Sequence, residues 1–307
     1  MNPIRTPRIA VGPDPVADWL VAAVHDGGGE VVGLDDAEAI VWADVSDPAG
    51  LSQAIAAARE ASWIQLPWAG VETFGDLLDH DHVWTCGKGV YADPVAEIAL
   101  ALGLAGLREI HSYAAATSWS EQRGRNLLGA RVTIVGGGGI AESLIRMLQP
   151  FGCHITVVRS TVQHMRGVDD VLGSDRLADA LPGADLVVLA LALTPETDGL
   201  IGADELGLME PHAWIVNVAR GRHIVTDDLV DALRRGVIGG AGLEVTEPEP
   251  LPEGHPLWTL DNCVITPHTG TTRAMADPLL ARRVRENVAR FAADDQLVGV
   301  VDVRAGY

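Results

Sequence analysis

The chain has 307 residues, which suggests about two domains at a typical length of roughly 150 residues each. Nearly half of the residues (48%) are apolar and 21% are charged, a balance that supplies a packed core and excludes a disordered chain. The 42 acidic against 22 basic residues leave a net charge of −20, and every basic residue except Lys88 is an arginine. A surface this acidic argues against nucleic acid or an anionic membrane as a partner.

In chain order, short β-branched runs alternate with Ala- and Leu-rich stretches. Residues 8–11 are expected as a strand closed by Gly12-Pro13, and 16–24 as a helix closed by Gly27, Gly28 and Gly29. A buried strand follows at 39–45, a helix at 51–61, and a strand at 63–66 stopped by Pro67. The ten-residue apolar run 98–107 is too short to cross a bilayer. Further strands are expected at 131–135, 155–158, 186–193, 214–218 and 264–266, with helices at 141–148 and 226–235 among them. This alternation predicts parallel sheets covered by helices on both faces. The last helix is expected at 278–293. Leu280, Val284, Val288 and Phe291 share one side of it, and Arg282, Arg283, Arg285 and Arg290 are expected to form its solvated side. Pro13, Asp14, Pro15 and Asp18 interrupt the first 24 residues, so no secretory signal is expected. Cys86, Cys153 and Cys263 lie far apart without CxxC or zinc-type spacing, which predicts a cytoplasmic protein with no metal site.

The strand at 131–135 runs into Gly136-Gly137-Gly138-Gly139-Ile140-Ala141, a G-x-G-x-x-A pattern with a helix after it. Gly136 permits the tight turn, Gly138 lets the backbone approach a pyrophosphate, and Ala141 lets the helix pack closely on the strand. The helix N-terminus, with Gly139 and Ile140, then offers its open N–H groups to phosphate. The following strand ends in Arg159-Ser160-Thr161. A site for NAD carries an acid at this point to accept from ribose hydroxyls. An arginine instead pairs with a 2′-phosphate, and Ser160 and Thr161 can add donors. The expected cofactor is NADP(H), with NAD(H) as the second candidate.

Three later segments carry more chemistry. They are Val216-Asn-Val-Ala-Arg220-Gly221, followed by 225–233; Gly240-Ala-Gly-Leu-Glu-Val-Thr-Glu-Pro-Glu249-Pro250; and Ile265-Thr-Pro-His268-Thr-Gly270. Leu193-Thr-Pro-Glu-Thr197, the loop Trp63-Ile-Gln-Leu-Pro-Trp-Ala-Gly-Val71 and the tail at 299–307 accompany them. Along essentially its whole length the chain resembles the D-isomer-specific 2-hydroxyacid dehydrogenase family, its glyoxylate/hydroxypyruvate reductase branch above all.

That resemblance implies an oxidoreductase moving a hydride between NADP(H) and a small 2-oxo or 2-hydroxy acid, with Arg220, Glu249 and His268 as the catalytic triad. The residue types suit the chemistry. A guanidinium fork can hold a carboxylate and polarise the neighbouring ketone. A histidine can protonate the oxygen as hydride arrives at carbon, and an acid beside it can orient the ring and stabilise the imidazolium. The resemblance further implies Thr194, Thr197, Ala219, Glu244, His268 and Gly270 at the cofactor. Glu244 would lie near the nicotinamide carboxamide, where the family often has aspartate. It also implies that backbone N–H groups of Ala69, Gly70 and Val71 receive the substrate carboxylate. Trp68 is expected either in the pocket wall or in the core, and Lys88 either facing the anionic substrate or as an exposed loop lysine.

By the same resemblance the fold is α/β, with two Rossmann-like, doubly wound parallel-sheet domains and a cleft between them. Residues 1–93 plus 283–307 form the substrate domain and 94–282 the dinucleotide-binding domain. A homodimer forms through the latter, with 113–126 as its arm. Two other readings stay open: a 3-phosphoglycerate dehydrogenase-like enzyme, for which Lys88 is the one evident extra cation in the N-terminal loops, and a non-enzymatic dinucleotide-sensing binding protein on the same scaffold.

Overall fold

The computed structural model describes residues 5–304, so the end of the C-terminal motif, 305–307, lies outside the described residues, as do 1–4. The chain divides into two compact units. One runs up to Tyr91 and resumes at Thr272; the other is Ala92–Thr271. The sequence places these crossings at 93/94 and 282/283. The return comes earlier because the last helix is a single rod, Arg273–Ala293, rather than one beginning at Pro278. Pro278 sits inside its second turn, and Ala276, Leu280, Val284 and Val288 are all buried in the first unit.

The first unit holds β1 (Arg8–Gly12), β2 (Glu30–Val31), β3 (Ala39–Trp42), β4 (Trp63–Gln65) and β5 (Val83–Thr85), all parallel in the order β2-β1-β3-β4-β5. Alternating residues feed the two faces. Ile9, Ala39, Val41 and Trp63 pack with Leu20, Val24, Leu280, Val284 and Val288 on one side, and Ala10, Ile40 and Ile64 pack with Leu51, Phe74 and Trp84 on the other. Gly27 and Gly29 matter because a Cβ at either would strike Val288, so the returning helix can lie directly against this turn.

The second unit holds β6 (Arg131–Val135), β7 (His154–Arg159), β8 (Asp170–Gly173), β9 (Leu186–Leu189), β10 (Trp214–Asn217), β11 (Gly240–Leu243) and β12 (Cys263–Ile265). They are again all parallel, ordered β12-β11-β10-β9-β6-β7-β8. Both faces are covered: Val132, Ile134, Leu186, Val188, Trp214 and Val216 point into one apolar cluster, and Val187, Leu189, Ile215, Ala241 and Leu243 into the other. The run 186–193 leaves the sheet at Leu189, where the Ala190 carbonyl abuts Gly136. The apolar run 98–107 belongs to the Ala92–Leu107 helix, whose Gly103 and Gly106 seat against Leu186 and Trp214. Strand order reverses between β6 and β9. In an open α/β sheet such a switch point leaves a crevice outside the carboxyl ends of the strands, where ligands bind.

Candidate active site

The motifs singled out in the second unit all lie just beyond the carboxyl ends of its strands. Gly136 follows β6 with φ +115°, and a Cβ there would collide with the Ala190 carbonyl, so only glycine fits. Gly138 caps the Gly139–Leu148 helix in extended conformation, and a Cβ at Gly138 would meet nothing within 4 Å. Gly138 and Gly139 are exposed, Ile140 is half-buried, and Ala141 is buried beneath them. The first turn of that helix leaves its N–H groups open, which is the cradle an anionic pyrophosphate needs.

Arg159 ends β7, and its side chain lies across the turn: a Cβ on Gly137 would come within 2.8 Å of Arg159 Cδ. Among the described residues Arg159 forms no ion pair, while Ser160 and Thr161 beside it are exposed. A glycine cradle beside this guanidinium fits a dinucleotide. After β9, the loop at 192–197 closes on itself. Thr197 Oγ1 accepts from the Thr194 N–H at 2.8 Å and donates to the Ala192 carbonyl at 2.9 Å.

Arg220 follows β10. Asn217, 1% exposed at the end of that strand, donates to the Arg220 carbonyl at 2.8 Å and accepts from the Ala219 N–H at 3.0 Å, so one buried amide sets the turn. The Arg220 N–H donates to Nδ1 of the fully buried His223, whose Nε2 lies 3.2 Å from the Ala192 carbonyl. Burial lowers the His223 pKa from its ordinary value, in keeping with a neutral ring between backbone groups. Gly221 presses on the backbone at Thr246 and Glu247, so the Arg220 turn abuts the loop that leads to Glu249.

His268 and Glu249 pair directly: Nδ1 of His268 lies 2.6 Å from Glu249 Oε1, with both side chains about half exposed. A carboxylate oxygen accepts, so Nδ1 carries the proton and Nε2 is the ring nitrogen left for chemistry. His268 has φ +50°, in the left-handed region that costs a non-glycine residue of order 1–3 kcal/mol. Its N–H donates to the carbonyls of Glu244 and Thr266, both at 3.0 Å.

Glu244 is 2% exposed, and its carboxylate accepts from the Thr266 hydroxyl and from the Gly270 N–H.

In the first unit, the N–H groups of Ala69, Gly70 and Val71 donate to no group among the described residues. The Trp68 ring packs on Tyr91 with centroids 4.9 Å apart, and Tyr91 donates to the Pro67 carbonyl. Lys88 is exposed, and its carbonyl accepts from Arg283. Arg283 was expected on a solvated face, as Arg282 and Arg285 indeed are. It turns inward instead, because the Cys86 and Lys88 carbonyls present two acceptors to its fork at 3.0 and 3.1 Å. Sequence reasoning also missed Asn217, His223 and Thr266. The spacing of Asn217 and His223, three residues on either side of Arg220, was the available signal.

A parallel α/β sheet with a dinucleotide cradle on one side of its switch point and an Arg–Glu–His set on the other defines a nucleotide-dependent oxidoreductase scaffold. Residues 98–270 match the model of the D-isomer specific 2-hydroxyacid dehydrogenase, NAD binding domain, and the chain belongs to that family. It is 40% identical over 256 residues to an uncharacterised protein of Corynebacterium melassecola, covering 80% of this chain and 83% of that one. It is 34% identical over 220 residues to the human glyoxylate reductase/hydroxypyruvate reductase, covering 69% of this chain and 65% of the other; the reductases it matches are thus spanned over roughly half to two thirds of their length. A solved D-isomer specific 2-hydroxyacid dehydrogenase from Xanthobacter autotrophicus Py2, in complex with NADPH and MES, superposes with TM-score 0.85 at 27% identity, covering 99% of this chain and 100% of that one. Among the described residues no His, Cys, Asp or Glu cluster is suited to a metal, and no helix is long and apolar enough to cross a membrane.

Proposed function

We propose that this chain reduces short 2-oxo acids of the glyoxylate or hydroxypyruvate type, preferring NADPH to NADH, and runs in reverse as a D-2-hydroxyacid dehydrogenase. The observation that carries this reading is the His268–Glu249 pair, two strands from Arg220 and at the same end of the sheet as the glycine turn. The names of the matched reductases and the NADPH in the superposed structure support it.

In this proposal Gly136, Gly138, Gly139 and Ile140 hold the pyrophosphate, Arg159 with Ser160 and Thr161 holds the 2′-phosphate, and Thr194, Thr197 and Ala219 border the nucleotide. When bound, NADPH supplies the hydride. Arg220 orients the 2-oxo acid and polarises its ketone. The open N–H groups of Ala69, Gly70 and Val71 offer donors to the carboxylate. Trp68 and Lys88 flank that loop; Trp68 already has a packing role against Tyr91. His268 delivers the proton from Nε2, and Glu249 holds Nδ1–H and stabilises the imidazolium.

The test is a panel of glyoxylate, hydroxypyruvate, pyruvate, phenylpyruvate and phosphohydroxypyruvate with each cofactor. Turnover of glyoxylate or hydroxypyruvate with NADPH is the expected result. Preference for phosphohydroxypyruvate would mark a phosphoglycerate dehydrogenase, and silence on all five substrates a dinucleotide-binding protein. We also propose a cytoplasmic homodimer with residues 113–126 as its arm. Trp119, 95% exposed within that arm, is the feature that asks for a partner surface, and light scattering on the purified chain reads the mass.

A further inference from the structure

We propose that Glu244 is a positioning residue that locks His268 in its left-handed backbone conformation. This rests on the reading of His268 as the proton donor. Parallel pairing of Leu243 with Ile265 brings Glu244 alongside Thr266. From there Glu244 grips the following turn at three points: its carbonyl accepts the His268 N–H, one carboxylate oxygen accepts the Thr266 hydroxyl, and the other accepts the Gly270 N–H. The bonds fall two residues before His268, on it, and two residues after it. A left-handed histidine persists only where its surroundings over-determine it, and this bracket does so while leaving the ring directed at Glu249. The carboxylate is buried, with one oxygen on the Thr266 hydroxyl and the other on the Gly270 N–H. Gly270 fits the same purpose, since a Cβ there would press within 3.2 Å of the Glu244 oxygen.

The test compares the full chain with Glu244→Ala, Glu244→Gln and Thr266→Val by three readouts: NADPH Kd from fluorescence titration, the low-field proton resonance of His268 Nδ1–H (assigned by its loss in Glu249→Gln), and kcat and KM for the preferred 2-oxo acid. Glu244→Ala is expected to lower kcat about 100-fold by misplacing the ring, to shift or abolish the low-field signal, and to leave NADPH Kd within about twofold. Thr266→Val, losing one of the three bonds, is expected to move the same readouts the same way, with kcat down about fivefold. If Glu244→Ala does not fold, Glu244→Gln and Thr266→Val carry the test. An NADPH Kd weakened as much as kcat/KM falls, with the proton signal unmoved, overturns the proposal in favour of a cofactor ligand. If the wild-type chain turns over no 2-oxo acid, the functional reading fails, yet the dependence of the proton signal on Glu244 and Thr266 still decides whether the clamp exists.

Discussion

The two units bury both faces of a parallel sheet by different means. The second is one continuous stretch, Ala92–Thr271, and its sheet is sandwiched between two large apolar clusters. The first is assembled from two stretches of chain, and a buried polar chain crosses the join. Trp63 Nε1 donates to Thr85 Oγ1 (2.8 Å), Thr85 donates to Gln65 Oε1 (2.9 Å), and Asn287 donates to the same Gln65 oxygen (2.9 Å) and to the Val298 carbonyl while accepting from the Val298 N–H. Every one of these side chains is essentially unexposed. Apolar contact alone tolerates sliding, whereas a fully satisfied polar network admits one arrangement. The unit that must recruit a distant helix therefore spends hydrogen bonds on its register, while in the continuous unit the buried polar residues Asn217, His223, Glu244 and Thr246 lie at or beyond the carboxyl ends of the strands.

Substitutions can break this division, and the largest effects belong to the second unit. His268→Ala is expected to lower kcat by roughly 10²–10⁴-fold with a thermal midpoint near wild type, since the ring is half exposed; steady-state kinetics beside a melting curve checks both. Arg159→Ala is expected to reduce kcat/KM for NADPH about 10- to 100-fold and to leave NADH nearly unchanged, the loss of a charge-assisted bond to phosphate. Equal losses with both cofactors would separate Arg159 from cofactor choice. In the first unit the order inverts. Asn287→Ala removes one of the two donors to the Gln65 oxygen and strands both Val298 backbone groups, and is expected to cost ~3 kcal/mol in denaturant unfolding. The smallest effect is a pH dependence. Burial holds the folded His223 pKa below its ordinary 6.5, so as pH falls past that value the unfolded chain takes up a proton that the folded chain resists. The stability contributed by neutral His223 is complete above about pH 6.5 and is lost as pH drops toward the folded value. His223→Gln should flatten the difference between melts at about pH 7.5 and about pH 5.

Much of the scaffold was legible because both sheets are buried on two faces, and continuous Val/Ile runs such as 131–135 and 214–217 announce strands of that kind. β11 was not legible. Gly240-Ala-Gly-Leu carries no strand propensity, and it is a strand because the Trp214 ring and Leu102 occupy the volume that side chains at Gly240 and Gly242 would need. The site residues Arg220, Glu249 and His268 could be named from their motifs, but the parts that hold them could not. Asn217 looks like the end of an apolar strand, and Thr266 like a linker before Pro267. The bonds of Glu244 to Thr266 and Gly270 depend on the register of β11 with β12, a tertiary fact. Arg283 was hidden in a run of arginines, and only the packing of its helix tells which of the four turns inward.

The interrupted path of the first unit sets an order of events during synthesis. Its opening 91 residues reach the ribosome exit without the helix that completes them, and about 180 residues of the second unit intervene. At roughly 5–20 residues per second, that is a wait of about 10–40 s with the face of β1, β3 and β4 uncovered. The second unit, though begun later, can finish first. A nascent chain stalled between residues 91 and 272 therefore exposes Ile9, Val41 and Trp63, apolar surface for a chaperone to shield or for a neighbouring nascent chain to capture.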